Sequence, residues 1–160
     1  MVKIQIISVG KMKQPYFKDA INDYIKRLSS AYKVEHVSVN NAQYPDRISD
    51  KQIEQCKAIE GETILKRIAS NDFVIALNLN KQHFDSVEFS DYLTKLVDRG
   101  VNSIVFVVGG SYGLGENILE RAQCQVTLSK MTLIHEMTIV FLLEQIYRSV
   151  NINNNTPYHK

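Results

Sequence analysis

The sequence predicts an α/β protein whose sheet is largely parallel. Strand-like and helix-like patterns alternate along the 160 residues, and that order is typical of a parallel sheet covered by helices. Residues 104–108 form an apolar run rich in β-branched side chains, which is the pattern of a strand buried on both faces. This run ends in residues 109–115, the glycine loop, which holds four of the seven glycines. Such a loop is a usual ligand site in open α/β sheets, although a tight turn without a ligand would show the same pattern.

The first third of the chain predicts a strand, a helix and a second strand. Residues 2–9 form the first strand, and Gly10 ends it. Pro15 then suits the first turn of a helix, whose apolar residues recur at helical spacing and predict one buried face. Residues 34–39 predict the second strand. The predicted buried face of the helix contains Tyr16, Phe17, Ala20, Ile21, Tyr24, Ile25 and Leu28.

Residues 40–47 are polar and predict a loop, after which a second helix begins. Ser49 with Gln52 three residues later is the pattern of a capping box. We expect this helix to bury Cys56 as a core residue and to be interrupted or loosened near Gly61.

The next elements follow the same alternation. Residues 73–79 predict a third strand with polar Asn78 near its end, and Ser86 is a candidate N-cap for the helix that follows. Gly100 predicts the C-terminal end of that helix. After the fourth strand and the glycine loop, residues 116–122 predict a short helix and residues 125–128 a fifth strand.

Residues 135–150 predict a long final helix, with a polar linker at 151–155 after it. Glu144 and Arg148 are spaced to form an ion pair along the helix. The apolar surface of this helix is wider than one core face requires, which favours a symmetric dimer. That surface comprises Met137, Val140, Phe141, Leu143, Ile146, Tyr147 and Val150.

Length and composition indicate a single domain spanning residues 1–160. The net charge of +2 permits an RNA partner without requiring one. We find no pattern of a signal peptide and no apolar run long enough for a membrane span, so we expect a cytoplasmic protein without a membrane partner. Cys56 and Cys124 lie far apart, and the four histidines lack ligand spacing. We therefore expect neither a disulfide framework nor a metal site.

The glycine loop does not match the common phosphate-binding motifs. The dinucleotide pattern fails because Ile118 stands at its third glycine position, although Gly113 and Gly115 have the right gap. The P-loop pattern fails because Glu116 occupies the position of the lysine that neutralises phosphate. An acidic residue there argues against a polyphosphate and favours a ligand that is neutral or cationic where it meets the backbone.

A second candidate ligand segment, Leu-Ser-Lys-Met-Thr-Leu at residues 128–133, lies between the fifth strand and the final helix. Its hydroxyls and backbone groups could recognise the edge of a purine ring. The alternative is that Ser129 or Thr132 caps the final helix.

Taken together, five ordered segments resemble one family. They are Val-Gly-Lys at 9–11, Val-Val-Gly-Gly-Ser-Tyr-Gly-Leu at 107–114, the segment at 128–133, Glu-Gln-Ile-Tyr-Arg at 144–148 and the closing Pro-Tyr-His-Lys. The chain resembles the RlmH family, the SPOUT-class pseudouridine N3-methyltransferases of bacterial large-subunit ribosomal RNA. The resemblance covers essentially the whole chain.

The resemblance implies a SPOUT-type α/β knot, in which the C-terminal third of the chain forms a trefoil knot. It also implies a homodimer and S-adenosylmethionine as the cofactor. The implied substrate is N3 of a pseudouridine in a stem-loop of 23S ribosomal RNA within assembled ribosomes. The implied cofactor-binding residues are Leu77, Gly109, Leu128, Ser129, Lys130, Met131, Thr132 and Leu133.

The resemblance also assigns a role to the C-terminal tail, which in the family reaches the active site of the partner subunit. Methyl transfer is an in-line displacement that requires the N3 proton of the base to leave. We expect Tyr158 and His159 to be the catalytic residues, with Lys160 beside them.

The chain departs from the family pattern at two positions. Ile134 stands where the family has proline, and Ile139 stands where it has an arginine that could contact RNA. The second departure motivates an alternative function, a catalytically weak, cofactor-binding relative that acts as a ribosome- or RNA-binding module.

Overall fold

The computed structural model describes residues 1–79 and 81–160 and has the α/β fold that the sequence predicts. The strands are β1 (Val2–Val9), β2 (Tyr32–Val39), β3 (Phe73–His83), β4 (Ser103–Val108) and β5 (Cys124–Thr127). The helices are α1 (Pro15–Leu28), α2 (Asp50–Leu65), α3 (Ser86–Asp98), α4 (Glu116–Arg121) and α5 (His135–Asn153).

The sheet of the described residues has five strands in the order β2-β1-β4-β3-β5, and every pair is parallel. The predicted parallel sheet is therefore confirmed. The carboxyl ends of β4, β3 and β5 are neighbours, so the loops that follow these three strands meet at one edge. Loops at this edge of an open α/β sheet are the usual place for a ligand.

Side chains of the sheet alternate between two apolar cores, one on each face. Ile104 and Phe106 of β4 pack into the core beneath α1, α3 and α5, whereas Val105 and Val107 pack beneath α2 and α4. All four side chains are at most 1% exposed. The continuous apolar run at 104–108 thus reflects burial on both faces, as its composition predicts.

Several local features that short sequence patterns predict are present in the structure. The capping box of Ser49 and Gln52 begins α2, Cys56 is buried, and Gly100 follows α3 with a positive φ of 87°. The predicted ion pair of α5 is also present, with Arg148 Nη2 at 2.6 Å from Glu144 Oε1.

The predicted interruption of α2 at Gly61 is wrong, because the helix continues through that residue to Leu65. Gly61 instead allows α4 to pack closely against α2. A Cβ added there would lie 2.2 Å from Oδ1 of Asn117 in α4. The Nδ2 of Asn117 donates to Ala58 O at 3.0 Å, which joins α4 to α2.

The predicted N-cap Ser86 is also wrong. Asp85 caps α3, and its carboxylate accepts from the backbone N–H of Glu88. The hydroxyl of Ser86 instead donates to Gln145 Oε1 on α5 at 2.7 Å. The cap is therefore the residue before the predicted one, and Ser86 joins α3 to a residue 59 positions along the chain.

Three other predictions need correction. β3 extends to His83, four residues past the predicted end, and α5 extends to Asn153, through most of the predicted linker. Tyr16 is 63% exposed, so it does not belong to the buried face of α1. The trefoil knot stays a prediction. Among the described residues, no helix is long and apolar enough to cross a membrane.

Candidate functional site

A cavity of about 600 Å³ lies at the carboxyl ends of β4, β3 and β5. Its volume is within the range of small-molecule sites. Three segments line it: residues 77–79 of β3, the glycine loop, and the chain from the end of β5 into the first turn of α5. The structure thus brings the glycine loop and the 128–133 segment into one site, although 12 residues lie between them in sequence.

Most of the predicted cofactor-binding residues line this cavity. Lys130 is the exception, because it is exposed and does not contribute to the lining. The predicted residues that do line the cavity are Leu77, Gly109, Leu128, Ser129, Met131, Thr132 and Leu133.

The glycine loop folds back on itself through close backbone contacts. The N–H of Gly113 donates to Gly110 O at 3.0 Å, and Gly113 has a φ of 84°. A Cβ at Gly109 would lie 2.7 Å from the carbonyl carbon of Gly113, closer than such atoms can approach. Glycine is therefore required at 109 to form the turn that gives this wall of the cavity its shape.

The β3 wall owes its shape to the buried side chain of Thr127 on β5. Its hydroxyl donates to Asn78 O at 2.6 Å and accepts from the N–H of Lys81 at 2.8 Å. The pairing of β3 with β5 changes register at this point, since Leu77 and Gln82 of β3 both pair with Val126 of β5. The two hydrogen bonds of Thr127 lie within this irregular stretch. Asn78 lines the cavity, and its Nδ2 donates to Gln125 Oε1.

The segment at 128–133 is shaped by its own side chains. The N–H of Met131 donates to Ser129 Oγ at 3.0 Å, so Ser129 stabilises a turn. The N-cap of α5 is Ile134, which has no side-chain cap, and the alternative in which Ser129 or Thr132 caps this helix is therefore wrong.

The described lining contains hydroxyl, amide and imidazole groups beside apolar side chains, and it includes no lysine, arginine or carboxylate. Such a surface gives a polyphosphate no neutralising charge. It fits a nucleoside-like ligand that carries a compact positive charge, because apolar walls can cover a ring while hydroxyls and backbone groups bind its edges. The described residues also contain no cluster of three or more His, Cys, Asp or Glu side chains suited to a metal ion.

His135 is a cavity residue that the sequence analysis did not select. Its Nε2 is buried without a hydrogen-bond partner, and its ring lies beside Gly10, whose φ is 102°. Burial lowers the pKa of nearby His36, and His135 lowers it further. The position of His135, directly after a candidate ligand segment, was the signal available in the sequence.

The predicted catalytic residues lie apart from the cavity. The Tyr158 hydroxyl donates to Glu144 Oε1 at 3.1 Å, and its ring packs edge-on against Tyr147. His159 Nδ1 lies 3.3 Å from Arg148 Nη1. Neither Tyr158 nor His159 is among the cavity residues.

This anchoring determines what the tail can do chemically. A guanidinium only donates hydrogen bonds, so Nδ1 of His159 accepts from Arg148 and the neutral imidazole carries its proton on Nε2. Burial and the adjacent Glu144 raise the pKa of Tyr158 to about 12, so its phenol stays protonated near neutral pH and acts as a donor.

Ile139, the position of the family arginine, is fully buried in the core beneath α5. Its side chain is therefore not available to RNA in this chain. The exposed apolar side chains nearby are those of Met131, Ile134 and Met137, which are 78%, 62% and 41% exposed.

Comparisons with a family model and with curated proteins both give matches over nearly the whole chain. A family model described as "Predicted SPOUT methyltransferase" matches residues 2–159. A Clostridium tetani protein named ribosomal RNA large subunit methyltransferase H is 45% identical over 99% of this chain and 100% of its own length. Proteins of the same name from Clostridium acetobutylicum and Streptococcus pneumoniae are 42% and 38% identical over the same shares.

Proposed function

The chain belongs to the SPOUT methyltransferase family, and from this membership we propose that it methylates 23S ribosomal RNA at N3 of a pseudouridine. The substrate is a stem-loop within assembled ribosomes, which places the protein in the cytoplasm. The full-length similarity to proteins named ribosomal RNA large subunit methyltransferase H supports the ribosomal substrate. The convergence of the glycine loop and residues 128–133 on one cavity is the observation that carries the proposal.

We assign the cavity to S-adenosylmethionine, which when bound supplies an electrophilic methyl group on a cationic sulfonium. Leu77 and the side chains at 128 and 133 provide apolar walls, while the backbone at Gly109 and the hydroxyl of Thr132 provide polar contacts. Among the described residues, the lining has no lysine or arginine that would repel the cationic sulfonium. Lys130 is exposed outside the lining, and we assign it to the RNA side of the site.

The residues of the chain serve mainly to position the RNA base and to assist the loss of its N3 proton. Transfer requires the base nitrogen and the methyl group to be held in line about 3 Å apart. In our proposal the tail of one protomer reaches the cavity of the other. There the Tyr158 hydroxyl exchanges its bond to Glu144 for one to a carbonyl that flanks N3, and the Nε2–H of His159 donates to the other carbonyl. The two donors stabilise the negative charge on the base when its N3 proton passes to solvent water.

This assignment requires a homodimer, which we also propose. Each protomer exposes Met131, Ile134 and Met137 beside the cavity, a surface that a second copy could cover. The tail is anchored to α5 by Tyr158 and Glu144, so it extends from the same helix that carries part of this surface.

The experiment that tests the proposal measures methyl transfer from labelled S-adenosylmethionine to ribosomes of a strain that lacks the corresponding enzyme. Free ribosomal RNA serves as the comparison substrate. We expect one methyl group per large subunit, located by mass spectrometry on a pseudouridine, and weak labelling of the free RNA. Ribosomes that remain unlabelled would refute the proposal.

A further inference from the structure

Tyr112, in the middle of the glycine loop, presents an aromatic ring at the rim of the cavity. The ring stacks on that of Tyr44, with 4.7 Å between centroids and 26° between planes. Tyr112 nevertheless keeps 44% of its surface exposed and contributes to the cavity lining. One face of the ring is therefore covered by Tyr44, whereas the exposed surface lies beside the cavity.

The position of Tyr44 is fixed by a buried carboxylate. Glu60, on α2, is 3% exposed and accepts from the N–H of Ala42 at 3.0 Å. The same carboxylate lies beside the hydroxyl of Tyr44, whose pKa is raised first by burial and then by Glu60. Because this buried carboxylate binds the backbone at Ala42, it constrains the loop between β2 and α2. The ring of Tyr44 is therefore held in place.

The position of Tyr112 is fixed from the other side by the turn of the glycine loop. Gly110 and Gly113 pair on either side of it, and Gly109 contacts the backbone of Gly113. The backbone that carries Tyr112 is thus held by contacts that involve no ligand, and its ring is held by the stack on Tyr44. An aromatic ring ordered in advance loses little conformational entropy when a ligand stacks on it.

Bases in single-stranded RNA loops are commonly bound by stacking on aromatic side chains. We propose that the exposed face of Tyr112 stacks on a base of the substrate RNA loop and thereby holds that loop over the cavity. This inference rests on the proposed function. Tyr112 is a substrate-positioning residue, distinct from the groups that hold the cofactor.

The test compares Tyr112→Leu, which removes the aromatic face, with Tyr112→Phe, which keeps it. Tyr32→Leu is the control, because Tyr32 begins β2 at the edge of the sheet opposite the cavity. Three quantities are measured for each protein: the KM for ribosomes in methyl transfer, the Kd for S-adenosylmethionine by calorimetry, and the fraction that co-sediments with ribosomes.

We expect Tyr112→Leu to raise the KM for ribosomes on the order of tenfold, the scale of one lost base stack, and to reduce co-sedimentation. Its Kd for the cofactor should rise by much less than its KM for ribosomes, because Tyr112 lies at the rim of the cavity, and Tyr112→Phe should behave as wild type. Three results would overturn the inference: an equal loss of cofactor affinity, an equal defect in Tyr112→Phe or Tyr32→Leu, or unchanged ribosome binding by Tyr112→Leu.

Co-sedimentation needs no methyl transfer, so the two hypotheses fail separately. If wild type methylates nothing but Tyr112→Leu binds ribosomes more weakly than Tyr112→Phe, the proposed function fails and the stacking inference stands. If wild type methylates its pseudouridine and Tyr112→Leu binds ribosomes normally, the stacking inference fails and the proposed function stands.

Discussion

The hydroxyl of Tyr158 donates a hydrogen bond to Glu144 Oε1 at 3.1 Å, which attaches the C-terminal tail to the middle of α5. The Arg148 guanidinium lies 4.8 Å from the centroid of the same tyrosine ring and also binds Glu144. The C-terminal tail is thus attached to a partly buried ion pair of α5. This attachment limits the positions from which the tail can enter a neighbouring active site.

Tyr158→Phe removes the hydroxyl that anchors the tail and, in our proposal, donates to the RNA base. We expect the rate of methyl transfer to ribosomes to fall about a hundredfold, the lower end of the effect of a lost acid–base group. Cofactor affinity should change little, since in our proposal the Tyr158 hydroxyl binds the RNA base and not the cofactor. Single-turnover kinetics and calorimetry measure the two quantities. Tyr32→Phe is the control, and an equal loss of cofactor affinity in Tyr158→Phe would contradict the prediction.

Gly109→Ala places a methyl group where the backbone of Gly113 leaves no room. Because neither backbone can shift without reshaping the turn, we expect the free energy of unfolding to fall by about 1–3 kcal/mol. The affinity for S-adenosylmethionine should fall at least about tenfold, since the wall of the cavity moves. Chemical denaturation and calorimetry test the two effects.

Gly100→Asn is the matched control for Gly109→Ala. Gly100 has a positive φ but nothing within 4 Å of an added Cβ, and asparagine tolerates that backbone conformation. Cofactor affinity should remain that of wild type in this control. Unchanged affinity in Gly109→Ala as well would show that the turn is not needed for binding.

His36 makes the stability of the fold dependent on pH. Its pKa in the folded state is lowered from 6.5 by burial and then by His135, while Ser8 Oγ lies 2.8 Å from its Nε2. The unfolded chain therefore binds the proton more tightly. The contribution of this residue to stability is complete above about pH 6.5 and is lost as the pH falls through that value toward the folded-state pKa.

Thermal midpoints between about pH 7.5 and pH 5 measure this dependence. His36→Gln cannot take up the proton, so its midpoint should fall less steeply with acidification than that of wild type. Because both proteins contain the same carboxylates, the difference between the two slopes gives the contribution of His36 to the pH dependence of stability. Parallel slopes would show that His36 does not couple folding to pH.

Ile139→Arg tests whether the missing family arginine limits activity. Ile139 is fully buried, so a guanidinium there would have to enter an apolar core. We expect the free energy of unfolding to fall by more than about 3 kcal/mol and ribosome methylation to show no gain. Ile139→Leu, which keeps volume and polarity, should cost about 1 kcal/mol. A large gain of methylation in Ile139→Arg would instead favour the weakly active, RNA-binding alternative.

Sequence by itself determined the order and type of the elements, because these depend on neighbouring residues. The period of apolar side chains identified the strands and helices, and the Ser49–Gln52 capping box located the start of α2. The apolar run ending at Gly109 identified one wall of the cavity. Resemblance then supplied the family, which the full-length match confirms.

Tertiary structure alone decided which distant segments meet. Asp85 caps α3, while the hydroxyl of Ser86 donates to Gln145, which lies 59 positions away in the sequence. Close packing against Asn117 explains why a glycine stands at position 61 inside a continuous helix. The strand order brought the ends of β3, β4 and β5 to one cavity. The stack of Tyr112 on Tyr44 likewise joins two loops 68 residues apart. Such pairings depend on how complete elements pack, and no local pattern of side chains encodes them.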